Sequence, residues 1–98
     1  MTRRTGFTPR ASRDVELASE RYAQQRPSLR DDFLEEIERA LATVHAAPEG
    51  APVVFRQMRR VLLRRFPYSI YYRVTADMID VRACLHQRRN FDRLLRSR

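Results

Sequence analysis

The sequence predicts an α+β fold in which a two-helix hairpin packs on a small antiparallel sheet. Apolar residues recur at helical spacing in the first half of the chain, and they alternate with polar residues in the second half. The expected element order is an N-terminal edge strand, two helices, three strands and a short C-terminal helix, arranged in two layers. The 98-residue chain is the length of one domain, so residues 1–98 are expected to fold as a single unit.

The first half predicts the edge strand at residues 4–7 and then the two helices. Thr8 and Pro9 form a helix start, because the Thr hydroxyl can accept an orphan backbone N–H and Pro has no N–H to satisfy. Pro27 ends the first helix, since the residue before a proline is pushed out of the helical region. Ser28 is expected to open the second helix, and the acidic run at residues 31–38 is expected to be its solvated face. The predicted buried stripe of the second helix consists of Leu29, Phe33, Ile37, Ala40, Leu41 and Val44.

The second half begins with a loop at residues 46–52 and continues with three strands. Phe66-Pro67 and residues 75–77 mark turns short enough to force antiparallel pairing. The apolar members of the alternation are Val61 and Leu63, then Tyr68, Ile70, Tyr72 and Val74, then Ile79, Val81, Ala83 and Leu85. This parity predicts one apolar face that covers the helices. The short C-terminal helix is expected at residues 90–97.

The same parity separates the tyrosines into two groups. Tyr68 and Tyr72 share the parity of Ile70 and are predicted to lie in the core. Tyr71 points with Arg73 to the opposite face, where it is a candidate for a surface contact.

The net charge of +8 belongs to one half of the chain. Residues 1–50 hold 8 Arg and 9 acidic residues, a net charge of −1, whereas residues 51–98 hold 12 Arg and 3 Asp, a net charge of +9. A cationic half favours an acidic partner, either a nucleic acid or an acidic protein segment.

Composition argues against several kinds of site. Cys84 is the only cysteine, so neither an internal disulfide nor a cysteine-based zinc site is expected, and Cys84 itself is predicted to be a small buried residue. His45 and His86 lie too far apart in sequence to indicate a metal pair. Two glycines cannot build a Gly-rich phosphate loop. No metal or cofactor is therefore predicted.

Short apolar runs and an N-terminus without an apolar core lead us to expect a soluble, cytoplasmic protein without a membrane segment.

Candidate chemistry is concentrated in the second half. The candidate residues are Arg56, Arg59, Arg60, Arg64, Arg65, Tyr71, Arg73, His86, Arg88 and Arg89. These residue types can bind RNA by neutralising phosphates and stacking on bases, or cleave it with His as acid or base and Arg stabilising the phosphorane. The alternative for each Arg is a solvated sheet face that keeps the domain soluble. For His86 the alternative is a structural, hydrogen-bonded histidine.

Three segments of the chain resemble the RelE/ParE family of toxins from bacterial type II toxin–antitoxin modules. They are FTPRASRDVELASERYAQQRP, RQMRRVLLRRFPYSIYYRV and IDVRACLHQRRN, so the resemblance covers roughly residues 5–96. Its most specific pieces are the RRFPYSIYYRV hairpin and the HQRR segment. The family's fold has the element order predicted above. One departure is Phe91, where many relatives have proline.

The resemblance implies one of two activities. RelE-like members cut mRNA in the ribosomal A site with basic strand residues and a tyrosine or histidine near the C-terminus. The segment NFDRLLRSR has no tyrosine, so an enzyme of this kind would use His86, Arg65, Arg88 and Arg89. ParE-like members poison DNA gyrase by binding, for which the candidate residues are Arg59, Arg60, Arg64, Tyr71 and Arg73. The missing tyrosine favours the ParE-like activity.

The resemblance also implies a cognate antitoxin that binds this chain in a hetero-oligomer, with gyrase or the ribosome and its mRNA as the target. A basic half-chain would attract an acidic segment that folds on binding.

A small DNA-binding regulator is a different class of protein that the charge also allows. Helix-turn-helix proteins carry their arginines on a recognition helix, whereas most of the arginines here lie on or beside predicted strands. A solitary, inactivated relative with a binding role is a third alternative.

Overall fold

The fold, taken from a computed structural model, is described for residues 3–98; the first two residues of the predicted domain lie outside this range. Its elements are β1 (Arg4–Phe7), α1 (Pro9–Gln25), α2 (Pro27–Ala46), β2 (Val53–Phe55), β3 (Met58–Leu62), β4 (Tyr68–Val74), β5 (Met78–His86) and α3 (Phe91–Leu95). The α+β class, the edge strand, the two-helix hairpin and the short C-terminal helix are confirmed.

The helix starts follow the capping signals closely. Thr8 caps α1, and its hydroxyl accepts the backbone N–H of Ala11 at 3.1 Å. The second helix begins at Pro27, one residue before the predicted start at Ser28. Pro fits the first helical position because its missing N–H would have had no partner there.

The sheet has five strands in the order β1-β5-β4-β3-β2 and is mixed. The three predicted strands, β3, β4 and β5, pair antiparallel as expected, and β1, for which no direction was predicted, pairs with β5 in parallel. The prediction missed β2, which forms a hairpin with β3. The turn of that hairpin is Arg56-Gln57, with Arg56 in the left-handed region at a φ of 52°. Tight hairpin turns usually carry Gly or Asn at such positions, so this turn gives no sequence signal.

A β-bulge in β5 reverses the alternation predicted for that strand. Tyr71 pairs with Ala83 and Tyr72 pairs with Val81, so Arg82 is an extra residue without a partner in β4. The face predicted to hold Ile79, Val81, Ala83 and Leu85 together is therefore split between the two sides of the sheet. Cys84 joins the helix side and is buried, as predicted.

The main core lies between the helix pair and the sheet. Its buried members are Ala11, Ala18, Phe33, Ile37, Leu41, Leu63, Phe66, Tyr68, Ile70, Val81 and Cys84. Aromatic rings meet edge-on within it, with centroids 5.2 Å apart for Phe33 and Phe66 and 4.8 Å apart for Tyr22 and Phe66. Tyr68 and Tyr72 are buried on this side, which confirms their predicted core positions.

A second apolar cluster covers the opposite face of the sheet, which we call the outer face. It consists of Met58, Tyr71, Ala83, Leu85 and Leu95, with Val54, Phe55, Phe91 and Leu94 packed around them. Tyr71 is only 2% exposed and stacks on Phe91 of α3 at 5.7 Å. The prediction that Tyr71 offers a surface contact is therefore wrong. A two-layer fold would leave this face in water, but α3 covers it, with the side chains of Val54 and Phe55 packed beside the cluster.

Within residues 3–98, no helix combines the length and the apolar content that a bilayer span requires.

Candidate functional site

Nine of the ten candidate residues lie in three places, and the tenth, Arg56, lies in the turn between β2 and β3. One group occupies one end of the sheet, which we call the arginine end: Arg64, Arg65, His86, Arg88 and Arg89. A second group lies on the outer face: Arg60, Tyr71 and Arg73. Arg59 lies on the helix side, opposite Tyr72 in the β3–β4 register.

The arginine end is built from two turns that lie against each other. The turn between β3 and β4 carries Arg64 and Arg65, and the turn between β5 and α3 carries Arg88 and Arg89. The backbone N–H of Gln87 in the second turn donates to the carbonyl of Pro67 in the first at 2.8 Å. These contacts place the four arginines at one end of the molecule, although they come from distant parts of the sequence.

The first of these turns is held by a buried carboxylate on α2. Glu36 is 4% exposed, and its Oε1 accepts the backbone N–H groups of Arg64 at 2.8 Å and Arg65 at 3.3 Å. Its Oε2 lies 2.7 Å from the guanidinium of Arg39. Burial by itself would raise the pKa of Glu36, but the two backbone N–H groups and the guanidinium groups of Arg39 and Arg65 bring it below the ordinary glutamate value.

Sequence reasoning missed Glu36, which it had assigned to the solvated face of the second helix. A usable signal was its position in the helical repeat. Phe33, Glu36 and Ile37 follow the i, i+3, i+4 spacing of the buried stripe, so Glu36 faces the sheet. A carboxylate at such a position requires hydrogen-bond partners from another element.

The second turn is held by its own backbone and by side-chain caps. The N–H of Arg88 donates to His86 Nδ1 at 3.1 Å, and the N–H of Arg89 donates to the His86 carbonyl at 3.0 Å. Asn90 then caps α3 by accepting the N–H of Arg93 at 3.2 Å. Phe91 is the first residue of α3 and reaches the outer-face cluster.

Most of the guanidinium charge at the arginine end is not neutralised. Arg65 lies 3.5 Å from Asp32 and also stacks over the Phe66 ring. Arg64, Arg88 and Arg89 are exposed, and within residues 3–98 no carboxylate comes within 4.0 Å of their guanidinium nitrogens. The arginine end therefore presents a surplus of positive charge to its surroundings.

His86 lies at the arginine end on the helix side of the sheet. Its ring meets the Tyr68 ring edge-on at 5.3 Å, and its Nδ1 is occupied by the Arg88 N–H. It lines a small cavity of about 80 Å³ that also contains Asp14 and Arg89. The Asp14 carboxylate is engaged elsewhere, because Arg98 contacts it at 2.7 Å and the Cys84 N–H at 3.0 Å.

The outer-face arginines are separated from His86 by the sheet. Arg60 lies over the Phe91 ring at 5.2 Å, and Arg73 faces Asp80 across the β4–β5 pair. The Arg73 Nε is buried without a hydrogen-bond partner among the described residues. The strand arginines and the candidate proton donor therefore do not share a face.

Arg59 has a structural role in the fold. Its guanidinium donates to the carbonyls of Ala51 at 2.7 Å and Glu49 at 3.1 Å, which fixes the loop after α2. Its side chain is 21% exposed. Because most of this side chain is buried and its Nη1 is bonded inside the protein, Arg59 offers little surface to a partner.

A region that sequence reasoning did not single out is an apolar groove between the end of α2 and β3. Its lining residues are Thr43, Val44, Ala47, Gly50, Ala51, Pro52, Arg60, Val61, Leu62 and Tyr72, and its volume is about 470 Å³. The last ladder bond on the β2 side runs from Arg60 N–H to the Pro52 carbonyl at 3.1 Å. Beyond it, β3 is an open sheet edge, and Leu62 on that edge is 54% exposed. The available signal was the run Val61-Leu62-Leu63, in which strict alternation must leave Leu62 outside.

No candidate metal or thiol chemistry emerges from the described part of the chain. Among residues 3–98, no group of three or more His, Cys, Asp or Glu side chains is placed to hold a metal ion. Burial, and to a lesser extent the charge of Asp14, raises the pKa of Cys84 to about 12, so its thiol stays protonated and unreactive near neutral pH.

Comparison with known proteins gives one family and one fold. A solved structure described as "Chromosomal ParDE TA system from P. aeruginosa" is similar in fold, with a TM-score of 0.75 and 18% sequence identity. The match covers 87% of this chain and 96% of the solved one. No curated protein matches the chain. Residues 6–91 match the family described as ParE toxin of type II toxin–antitoxin system, parDE. Because that match spans most of the sequence, the chain belongs to the ParE toxin family of type II toxin–antitoxin systems.

Proposed function

We propose that this ParE toxin acts by binding and poisoning DNA gyrase, without cleaving RNA. The observation that supports this choice is the match of residues 6–91 to the ParE toxin family. Cleavage of RNA requires an acid or base and the groups that stabilise the phosphorane around one phosphodiester. His86 lies at the arginine end with Arg65, Arg88 and Arg89, but its Nδ1 already accepts the Arg88 backbone N–H, and the segment that follows it contains no tyrosine that could serve instead. The arginine end can therefore bind a target, but only the Nε2 of His86 is left for proton transfer.

Two assays on the purified toxin test this proposal together. With gyrase and relaxed plasmid, we expect inhibition of supercoiling and accumulation of cleaved DNA. With programmed ribosomes, we expect no mRNA cleavage by the wild type or by His86→Ala. Cleavage by the wild type that disappears in His86→Ala would overturn the gyrase proposal and favour a RelE-like enzyme that uses His86, Arg65, Arg88 and Arg89.

We also propose that a cognate antitoxin neutralises the toxin by binding in the apolar groove. The groove has an open strand edge, which is a template for an added strand, and an exposed apolar side chain at Leu62. Arg39 and Arg64 line the adjoining cavity along α2 and supply positive charge at the margin of the groove. An extended segment with apolar residues on one side and acidic residues at its margins would match this surface.

Expression of the lone chain and of the pair tests the antitoxin proposal. We expect the lone toxin to arrest growth, and coexpression with the protein encoded beside it to restore growth and yield a complex. Growth unaffected by the lone chain, with no complex from the coexpressed pair, would contradict the proposal.

A further inference from the structure

We propose that the arginine end binds the phosphodiester backbone of duplex DNA. Because this inference rests on the proposed gyrase target, the duplex is the DNA segment that gyrase holds. The toxin would then recognise the enzyme together with its DNA.

The charge balance of the arginine end supports an anionic ligand. Four arginines lie on the two adjacent turns, and among the described residues only Asp32 lies close enough to pair with one of them, Arg65. Three nearby carboxylates do not pair with the turn guanidinium groups: Glu36 holds the turn backbone and Arg39, Asp14 holds Arg98, and Asp92, in the first turn of α3, has no guanidinium within 4.0 Å among the described residues. Guanidinium groups left without carboxylates bind phosphate oxygens well, since their planar donors match that geometry.

The side chains between the arginines indicate a nucleic acid instead of a protein. The exposed residues of the two turns are Arg64, Arg65, Pro67, Gln87, Arg88, Arg89 and Asn90, and the apolar residues Leu63 and Phe66 are buried. Protein interfaces need apolar or aromatic anchors at their centre, whereas DNA interfaces are polar and strongly positive. The apolar groove has such anchors and the two turns of the arginine end do not.

The backbone of the arginine end is ordered before any ligand binds. Glu36 holds the first turn, His86 and Asn90 hold the second, and the Gln87–Pro67 hydrogen bond joins them. Binding therefore has to order only the arginine side chains, which lowers the entropic cost of contacting a regular phosphate backbone.

The test measures binding of a short fluorescent DNA duplex to the purified toxin without gyrase, over a range of salt concentrations. The variant is Arg88→Gln/Arg89→Gln, since both backbone contacts to His86 survive these substitutions. Arg64 stays unchanged because it also lines the cavity beside the groove. The control, Arg4→Gln/Arg56→Gln, removes the same charge from exposed positions at the opposite end of the sheet.

We expect the Arg88/Arg89 variant to bind the duplex about tenfold more weakly than the control and its salt dependence to fall by about 0.9 in log–log slope per lost phosphate contact. Equal binding by the two variants, or tighter binding of the wild type to single-stranded RNA than to the duplex, would overturn the inference. So would a loss confined to antitoxin binding.

The same variants in the supercoiling assay separate this inference from the proposed function. If the wild-type toxin binds the duplex but does not inhibit gyrase, the gyrase proposal is refuted and the inference that the arginine end binds DNA stands. Inhibition of gyrase that is equal in both variants would refute a role of the arginine end in the gyrase–DNA complex and leave the gyrase proposal intact.

Discussion

The apolar groove and the arginine end are neighbouring surfaces built on different principles. The groove exposes apolar side chains and an open backbone edge between α2 and β3. The arginine end exposes guanidinium groups on two turns whose apolar residues are turned inward. The first surface gains energy by removing apolar area from water, and the second by neutralising charge. One small fold can therefore serve two kinds of partner at once.

Glu36 connects the two regions. Its side chain lies beside the groove along α2, and its Oε1 holds the turn that carries Arg64 and Arg65. The carboxylate neutralises Arg39 at the groove side and leaves the side chains of the turn arginines unpaired with it. A change at Glu36 is therefore expected to affect both surfaces, whereas changes farther out should affect only one.

Glu36→Ala should have the largest effect. It removes the acceptor for two backbone N–H groups and leaves Arg39 without its carboxylate, so we expect a loss of about 2–3 kcal/mol in the free energy of unfolding. Urea unfolding of the wild type and of Glu36→Ala measures this difference in the free energy of unfolding. Hydrogen exchange at the amides of Arg64 and Arg65 should accelerate in the same variant.

Arg39→Ala is the matched control for that experiment. It removes only the exposed member of the Glu36 ion pair, so the loss should stay below about 1 kcal/mol and the turn amides should keep their protection. Similar losses in both variants would mean that the ion pair, and not the turn, accounts for the role of Glu36.

Leu62→Gln should act on the groove alone. Removing an exposed apolar side chain at the open edge of β3 is expected to weaken antitoxin binding about tenfold, while DNA binding and stability stay close to the wild type. The comparison variant is Leu17→Gln on α1, which changes a leucine that is 44% exposed outside the groove. Titration calorimetry with the purified antitoxin measures the affinity of both variants. If Leu17→Gln weakened binding as much as Leu62→Gln, the groove would not be the docking surface.

Much of the fold was predictable because its signals are local. The cap at Thr8 and the proline at Pro27 define the helix hairpin. The parity of β4 assigned Tyr68 and Tyr72 to the core. The unpredicted features depend on long-range pairing: the parallel partner of β1, the bulge at Arg82 and the hairpin turn at Arg56 follow from tertiary contacts that residue patterns do not encode.

The candidate surfaces were predictable in residue type but not in position. The excess of arginine in the second half was evident, yet the division of those arginines between two faces and one end required the strand register. The prediction that Tyr71 is exposed was wrong because the short helix α3 covers the face that a two-layer fold would leave in water. The prediction that Glu36 is solvated was wrong because the burial of Glu36 depends on a turn 28 residues later in the chain. An acidic run on a helix is usually solvated, so residue type alone gives no sign of that burial.

The smallest predicted effect is a dependence of stability on pH through Glu36. Its pKa in the folded protein lies below the unfolded value of about 4.3, so its contribution is complete above that value and is lost as the pH falls through the folded pKa. Other carboxylates titrate in the same range, so the informative quantity is the difference in Tm between the wild type and Glu36→Gln. The Gln side chain keeps an oxygen that can accept the turn N–H groups but carries no charge. We expect the wild type to be more stable near pH 7 and the difference to shrink under acid conditions. A difference that stays constant down to acid pH would show that the charge of Glu36 does not hold the turn.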